Sequence, residues 1–235
     1  MAVKISFWSR LLDTVAPRLC EVCGKRLTVT EEALCAVCNL HLPRTGFQLT
    51  PLDNVMARLF WGRIPVERVA ALFYYEAGAG ASKLIYSLKY HDHREVGRVM
   101  GRMAAAELMP SGFFEGIDVL VPVPLSRRRQ WQRGYNQSAE LCRGLSEITG
   151  LPVETGAVCR KSFSKSQTRL GRWEREENVE GVFLLKDGSA VRGKHVLLVD
   201  DVVTTGATAT ACGRVLLEAG SVRLSIFSLS FTKEG

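Results

Sequence analysis

The chain has 235 residues, a hydrophobic fraction of 46%, a charged fraction of 23% and a formal net charge of +7. This length suits one domain with an appendage or two small domains, and the apolar content is enough for a core. No apolar run approaches the roughly 20 residues that span a bilayer, which argues against an integral membrane protein.

Residues 1–16 read as a short helix ended by Pro17, with Phe7, Trp8, Leu11, Leu12 and Val15 on one face. Arg10 and Asp13 interrupt its apolar stretch and no small-residue cleavage site follows, unlike a secretory leader. The helix either docks on its own protein or faces a partner or membrane. Residues 18–50 read as a small cysteine module of turns and short strands, and 51–66, with Pro51 and Pro65, as a connection.

From Val69 onward strands and helices alternate. VAALFYY is a strand, KLIYSLKY and Glu95–Leu108 have helical spacing, and IDVLVPVP is a strand stopped by prolines. A helix follows over Gln137–Ile148, with Asn136 as its cap. The stretch Arg160–Glu177 is basic and polar without periodicity. HVLLVDDV has the continuous apolar run of a buried parallel strand, Thr208–Ala219 is a helix stopped by Gly220, and SVRLSIFSLS is a final strand. This alternation implies βαβ units and a mostly parallel α/β sheet over 65–235, preceded by a module over 1–64.

Four of the seven cysteines form Cys20-x2-Cys23 and, eleven residues on, Cys35-x2-Cys38. Two such knuckles bring four sulfurs onto one tetrahedral ion. The expectation is a structural zinc, because four thiolates leave no open position. An iron–sulfur cluster or redox dithiols remain alternatives. His41 is a fifth candidate ligand or a surface residue. Cys142, Cys159 and Cys212 sit in apolar contexts and read as small buried hydrophobes. Thiols without a disulfide framework or leader suggest a reducing, cytoplasmic setting.

The most informative run is VLLVDDVVTTGAT, Val196–Thr208. A buried strand ends at two adjacent carboxylates, Asp200 and Asp201, and a loop of small residues, Thr204-Thr205-Gly206-Ala207-Thr208, leads into a helix. Ligands of open α/β sheets bind beyond the carboxyl ends of strands. The unpaired amides and dipole at such a helix start favour a phosphate, and Gly206 allows close backbone approach. The two carboxylates would repel that phosphate unless they serve another part of the ligand, such as ribose hydroxyls. A capped strand–turn–helix without ligand would explain one carboxylate but not both and the threonines. No GKS or GKT follows the glycine, so a nucleotide P-loop is excluded.

Positive charge is concentrated between Ser126 and Arg172, where ten Lys/Arg face three Glu. Such a field suits a phosphorylated substrate or a nucleic acid. Arg127, Arg128, Arg129 and Arg133 interleave with Trp131 and Tyr135, a mixture that suits single-stranded nucleic acid. Lys83, Lys89, Tyr90, His91 and His93 extend the same surface or form a bland helix end.

The Val196–Thr208 run resembles the 5-phosphoribosyl pyrophosphate (PRPP) motif of type I phosphoribosyltransferases. The resemblance implies that Asp200 and Asp201 hold the ribose hydroxyls and Thr204 to Thr208 the 5′-phosphate. Together with the CxxC pairs, VPVPLSRRRQWQRGYNQS (121–138) and RKSFSKSQTRLGRWEREENVEGVF (160–183) resemble the ComF family of competence-associated phosphoribosyltransferases, in family order. The resemblance implies pyrophosphate binding by Arg127 and Arg128, Mg²⁺ with PRPP, and a mobile loop carrying Lys161, Gln167, Arg169 and Arg172 in a framework with Arg160 and Asn178. It gives Asp200, Asp201 and Arg172 catalytic roles. It also implies a part in handling incoming single-stranded DNA alongside the competence machinery. A metabolic enzyme joining a nucleobase or other nitrogen acceptor to PRPP is the alternative. No residue marks the acceptor.

Overall fold

The computed structural model describes residues 17–90, 94–161 and 181–232. The expected helix over 1–16, the triplet His91-Asp92-His93, and Gln167, Arg169, Arg172 and Asn178 lie outside these residues.

The N-terminal module supplies helix α1 (Ala36–His41) and two 3-10 turns, Phe47–Leu49 and Ala57–Phe60. Instead of the short strands expected here, its first knuckle is a turn closed by one isolated bridge, Leu19 to Arg26. The reason is local: amides around each knuckle bond to sulfur or to turn carbonyls and have no strand partner. Strand β1 (Val69–Tyr75) leads into helices α2 (Gly80–Tyr90) and α3 (Arg94–Leu108). Strand β2 (Val119–Pro122) is followed by α4 (Arg127–Arg133) and α5 (Gln137–Thr149). Strands β3 (Val158–Arg160) and β4 (Phe183–Leu185) pair antiparallel. Strand β5 (His195–Val203), helix α6 (Ala207–Leu217) and strand β6 (Arg223–Thr232) complete the chain.

The main sheet has the order β1-β6-β5-β2 and every pair in it is parallel. Strand β5 lies inside it, which accounts for the unbroken burial of His195 to Asp200. Its register with β2 ends where Pro122 faces Val199 and the Val123 amide donates to the Val199 carbonyl at 2.9 Å. Pro124 has no N–H to continue the ladder. Beyond this point β5 pairs only with β6, Asp200 against Ser228 and Val202 against Ser230. A crevice therefore opens beside the two aspartates.

Helix α5 borders this crevice. Its cap, Asn136, accepts from the Ser138 amide at 3.0 Å and donates through its own amide to the Val123 carbonyl at 3.0 Å. One residue thus starts α5 and ties it to the end of β2. Helix α5 crosses α3 with backbones in contact: a Cβ on Gly144 would strike the Arg98 carbonyl.

The module packs on the far edge of the sheet. Leu27, Leu34, Leu42 and Phe47 join the same apolar cluster as the strands. Residues 43–45 run antiparallel along β1, where the Tyr74 amide donates to Pro43 and the Thr45 amide to Leu72. Arg44 holds Glu107 of α3 through two bonds of 3.0 and 2.7 Å. The edge of β1 is therefore covered.

Candidate functional site

Asp200 and Asp201 project where β5 outlasts β2. Asp200 is 8% exposed, and the Ser138 hydroxyl donates to its Oδ1 at 3.3 Å. The amide of Asp201 donates to the same oxygen at 2.9 Å, and the Val202 amide to Asp201 Oδ1 at 2.9 Å. Burial first, and then the charge of Asp201, push the Asp200 carboxyl up to about 8. Lys89, from the last turn of α2, places Nζ 3.3 Å from Asp201 Oδ2. The two carboxylates thus differ: Asp200 is buried and resists ionisation, while Asp201 faces a cation at the crevice.

The loop after β5 turns at Gly206, whose φ of 74° lies in the left-handed region that favours glycine. A Cβ there would also stand 3.1 Å from the Phe60 ring. Phe60, from the connection before β1, backs the loop, and Arg63 donates to the Thr205 carbonyl at 3.1 Å. Thr204 and Thr205 are exposed; Ala207 and Thr208 open α6, whose first-turn amides have no intrahelical carbonyl. An anion placed beyond β5 meets these amides and the threonine hydroxyls.

The arginine run is not a loop but α4, which starts where the Ser126 hydroxyl accepts from the Arg129 amide at 3.3 Å. Helical geometry divides its side chains into two faces. Arg129 and Arg133 share one. Arg133 donates to Gln137 Oε1 at 2.9 Å and lies 5.8 Å from the Tyr90 ring centroid. Arg129 is within electrostatic reach of Arg160 at the end of β3. Burial, and then the charge of Arg129, lower the Arg160 guanidinium from its ordinary range, while Asp200 opposes this. Arg127, Arg128 and Trp131 are exposed, Trp131 by 86%. Trp131 follows Arg129 by two positions and so faces away from it.

Lys161 follows β3 and is exposed, and its amide donates to the Val182 carbonyl at 2.8 Å. Sequence reasoning gave no role to Ser138, Phe60 or Arg63, and took Lys89 only as part of a basic surface. No local pattern marks them, because each reaches the site from a different element.

The Sγ atoms of Cys20, Cys23, Cys35 and Cys38 all lie within 4.8 Å of one another. A tetrahedron with metal–sulfur bonds of about 2.3 Å has sulfur–sulfur edges of about 3.8 Å. Cys23 and Cys35 Sγ are 3.8 Å apart. The Cys35 amide donates to Cys20 Sγ and the Cys38 amide to Cys35 Sγ, both at 3.4 Å, bonds that favour thiolates. Burial pushes the Cys20 thiol up, but amide donors from Cys35, Cys23 and Val22 outweigh it and bring the thiol down to about 7. This cluster could hold a metal ion. His41 is exposed, its Nδ1 is 2.7 Å from the Val37 carbonyl, and it is not among the converging ligands. Burial raises the Cys142 and Cys212 thiols, consistent with inert core residues, and Cys159 is half-buried.

No family model matches the chain. Curated relatives do. It is 31% identical to the DNA utilization protein YhgH of Escherichia coli K12 over 227 residues, covering 92% of this chain and 98% of that one. It is 29% identical to competence protein F of Haemophilus influenzae over 153 residues, 63% of this chain and 67% of that one. It is also 37% identical to competence protein ComFC of Bacillus subtilis over 112 residues, 47% of this chain and 43% of that one. Among solved structures, similarity extends to a glutamine PRPP amidotransferase from Bacillus subtilis, with 22% identity, a TM-score of 0.41, and coverage of 60% of this chain and 30% of that one. A hypoxanthine phosphoribosyltransferase from Trypanosoma cruzi is 18% identical with a TM-score of 0.38, covering 59% of this chain and 78% of that one. The parallel sheet, the acidic pair at the end of its central strand and the four-cysteine module are the type I phosphoribosyltransferase architecture that the motifs implied. With the near full-length likeness to YhgH, they establish that the chain belongs to the ComF family of competence-associated, phosphoribosyltransferase-fold proteins.

Proposed function

We propose that the chain binds PRPP in the crevice beside β5 and acts in the handling of incoming DNA. The carrying observation is the pair Asp200–Asp201 followed by the Gly206 turn at a helix start. Two adjacent carboxylates beside an anion site make chemical sense when the ligand carries both a phosphate and vicinal hydroxyls. Asp200 and Asp201 accept from the ribose hydroxyls, and Thr204, Thr205 and Thr208, with the backbone of Gly206 and Ala207, hold the 5′-phosphate.

The pyrophosphate falls to the basic side of the crevice. Arg129 and Arg160 stand nearest the acidic pair, with Arg127 and Arg128 on the outer surface, and Mg²⁺ offsets the remaining charge. Lys161, Gln167, Arg169 and Arg172 belong to the same basic segment. The chemistry implied is displacement of pyrophosphate at ribose C1 through a cation-like transition state, which the site promotes by electrostatic placement. Zinc is the ion that suits the four cysteines, in a structural role. A role with DNA rests on the names of the relatives and on the exposed row Arg127, Arg128 and Trp131 of α4. A cytoplasmic location accords with free thiols and with the lack, among the described residues, of a helix long and apolar enough to cross a membrane.

Calorimetric titration of PRPP with Mg²⁺ tests the reading. The double substitution Asp200→Asn, Asp201→Asn keeps side-chain size and removes both charges, and binding should weaken at least tenfold. An unchanged dissociation constant would show that the pair does not touch ligand.

A further inference from the structure

A cleft of about 610 Å³ lies between the cysteine module and α2, lined by Glu21 on one wall and by Ser82, Lys83, Tyr86, Lys89 and Tyr90 on the other. Its volume falls in the range of about 300–1,000 Å³ typical of small-molecule sites. Three features define what it would take.

The first is aromatic. Tyr86 and Tyr90, one helical turn apart on α2, have ring centroids 4.6 Å apart and are 57% and 60% exposed. The Arg133 guanidinium lies 5.8 Å from the Tyr90 centroid, so two rings and a flat cation form one row. Large exposed aromatics are unfavourable in water unless something flat covers them, and such a row offers stacking faces.

The second is polar. The Ser87 hydroxyl donates to Glu21 Oε2 at 2.5 Å, and Lys83 Nζ donates to the Val22 carbonyl at 3.3 Å. The cleft thus presents a carboxylate, which accepts from ring N–H or amino groups, and ammonium groups, which donate to ring nitrogens or carbonyls.

The third is position. Lys89 lines the cleft and reaches Asp201 at 3.3 Å, so the cleft opens onto the acidic pair.

We infer that this cleft is a subsite for a flat nitrogen heterocycle of nucleobase type, stacked on the Tyr86–Tyr90–Arg133 row with its polar edge toward Glu21 and Lys83, next to the ribose held by Asp200 and Asp201. The inference rests on the ribose reading of that pair. The same chemistry has two sources, a free base or a base carried in single-stranded DNA.

The test uses the full-length, metal-loaded protein. The probes are four free bases, adenine, guanine, cytosine and uracil, and a fluorescent twelve-residue oligothymidylate, each with and without PRPP and Mg²⁺. Tyr90→Ala should weaken the bound probe by about 5- to 100-fold, the range of one base stacked on an aromatic side chain. Tyr90→Phe should stay within about twofold of wild type, because the ring face is kept. PRPP affinity of both variants should change by less than about twofold, since Tyr90 is not in the ribose or phosphate set. Circular dichroism and melting of the variants check that they fold. Binding of a free base assigns the cleft to an acceptor of substrate size, and binding of the oligonucleotide alone assigns it to DNA; both support the subsite. It is overturned if wild-type protein binds none of the probes at saturating PRPP, or if Tyr90→Ala leaves probe affinity unchanged. Wild-type protein that binds a probe in a Tyr90-dependent way but never binds PRPP would retain the stacking site and refute the ribose reading instead.

Discussion

Lys89 Nζ sits 3.3 Å from Asp201 Oδ2, and this one ion pair joins α2 to the acidic end of β5. At its other end α2 is seated on the first cysteine knuckle. A Cβ on Gly80 would stand 3.1 Å from both Leu42 and Val22, Lys83 bonds to the Val22 carbonyl, and Ser87 bonds to Glu21. The helix is thus a strut between the cysteine cluster and the ribose pair.

The first expectation concerns Lys89 itself. Lys89→Met removes the cation that opposes the raised pKa of Asp200. If PRPP binding needs the pair ionised, the midpoint of its pH dependence should move to higher pH. The affinity loss should be about three- to thirtyfold near neutrality and smaller at about pH 9, where ionisation no longer limits binding. Calorimetry across this range checks it; a pH-independent loss would mean that Lys89 only contacts phosphate.

Metal loss should travel along the same strut. Cys35→Ser should lower bound zinc, measured by atomic emission, and destabilise the module, because metal binding supplies folding free energy there. PRPP affinity should fall as well, although no cysteine lies in the crevice. Ser87→Ala should reproduce part of that affinity loss with full metal content. Full metal occupancy in Cys35→Ser with unchanged melting would remove the four-cysteine assignment.

Asp200 makes a stability prediction with a definite sign. Burial and the Asp201 charge raise its pKa to about 8. An unfolded aspartate has a pKa of about 3.9, so between these two values the folded state holds more protons than the unfolded state. Asp200 therefore costs no stability below about pH 4 and costs progressively more as pH rises toward 8. Asp200→Asn should raise the melting temperature at about pH 9 by at least 2–4 °C, roughly 1 kcal/mol for a chain of this size, and should change little at about pH 4. The same variant should bind PRPP more weakly, a residue kept for its ligand at the expense of the fold.

The two faces of α4 should separate two ligands. Arg129→Gln should weaken PRPP, because Arg129 is the arginine of the run that reaches Arg160 beside Asp200. Arg128→Gln should leave PRPP nearly untouched and reduce the salt slope of single-stranded DNA binding by about 0.7 if it neutralises one phosphate. Trp131→Ala should weaken DNA by about 1–3 kcal/mol with the slope preserved if the indole stacks on a base. DNA affinity that is insensitive to salt, or to both outer-face changes, would take nucleic acid away from this helix.

Gly206→Ala should destabilise the protein by about 1–3 kcal/mol, since it combines a left-handed backbone with a Cβ pressed on Phe60. Chemical denaturation measures this directly. PRPP affinity should fall in parallel, because relieving the strain moves the phosphate loop.

What the sequence determined by itself is local. Period-two and period-3.6 patterns, proline stops and the Asn136 cap set out strands and helices within a few residues of where they lie, because these signals act over single elements. The acidic pair with its glycine turn, and the paired knuckles, were readable for the same reason: the chemistry of each is written in a continuous run of chain. Tertiary structure decided the rest. That β5 runs past β2, that Lys89 meets Asp201, that Ser138 bonds to Asp200 and that Phe60 backs Gly206 are encounters between residues up to 146 positions apart. Such contacts follow from how strands register and helices seat, which no local pattern encodes. The arginine run shows both sides of this division. Its charge was plain in the sequence, but which arginines face the crevice and which face solvent was settled by α4 folding as a helix, whose 100° step turns Arg129 and Trp131 to opposite sides.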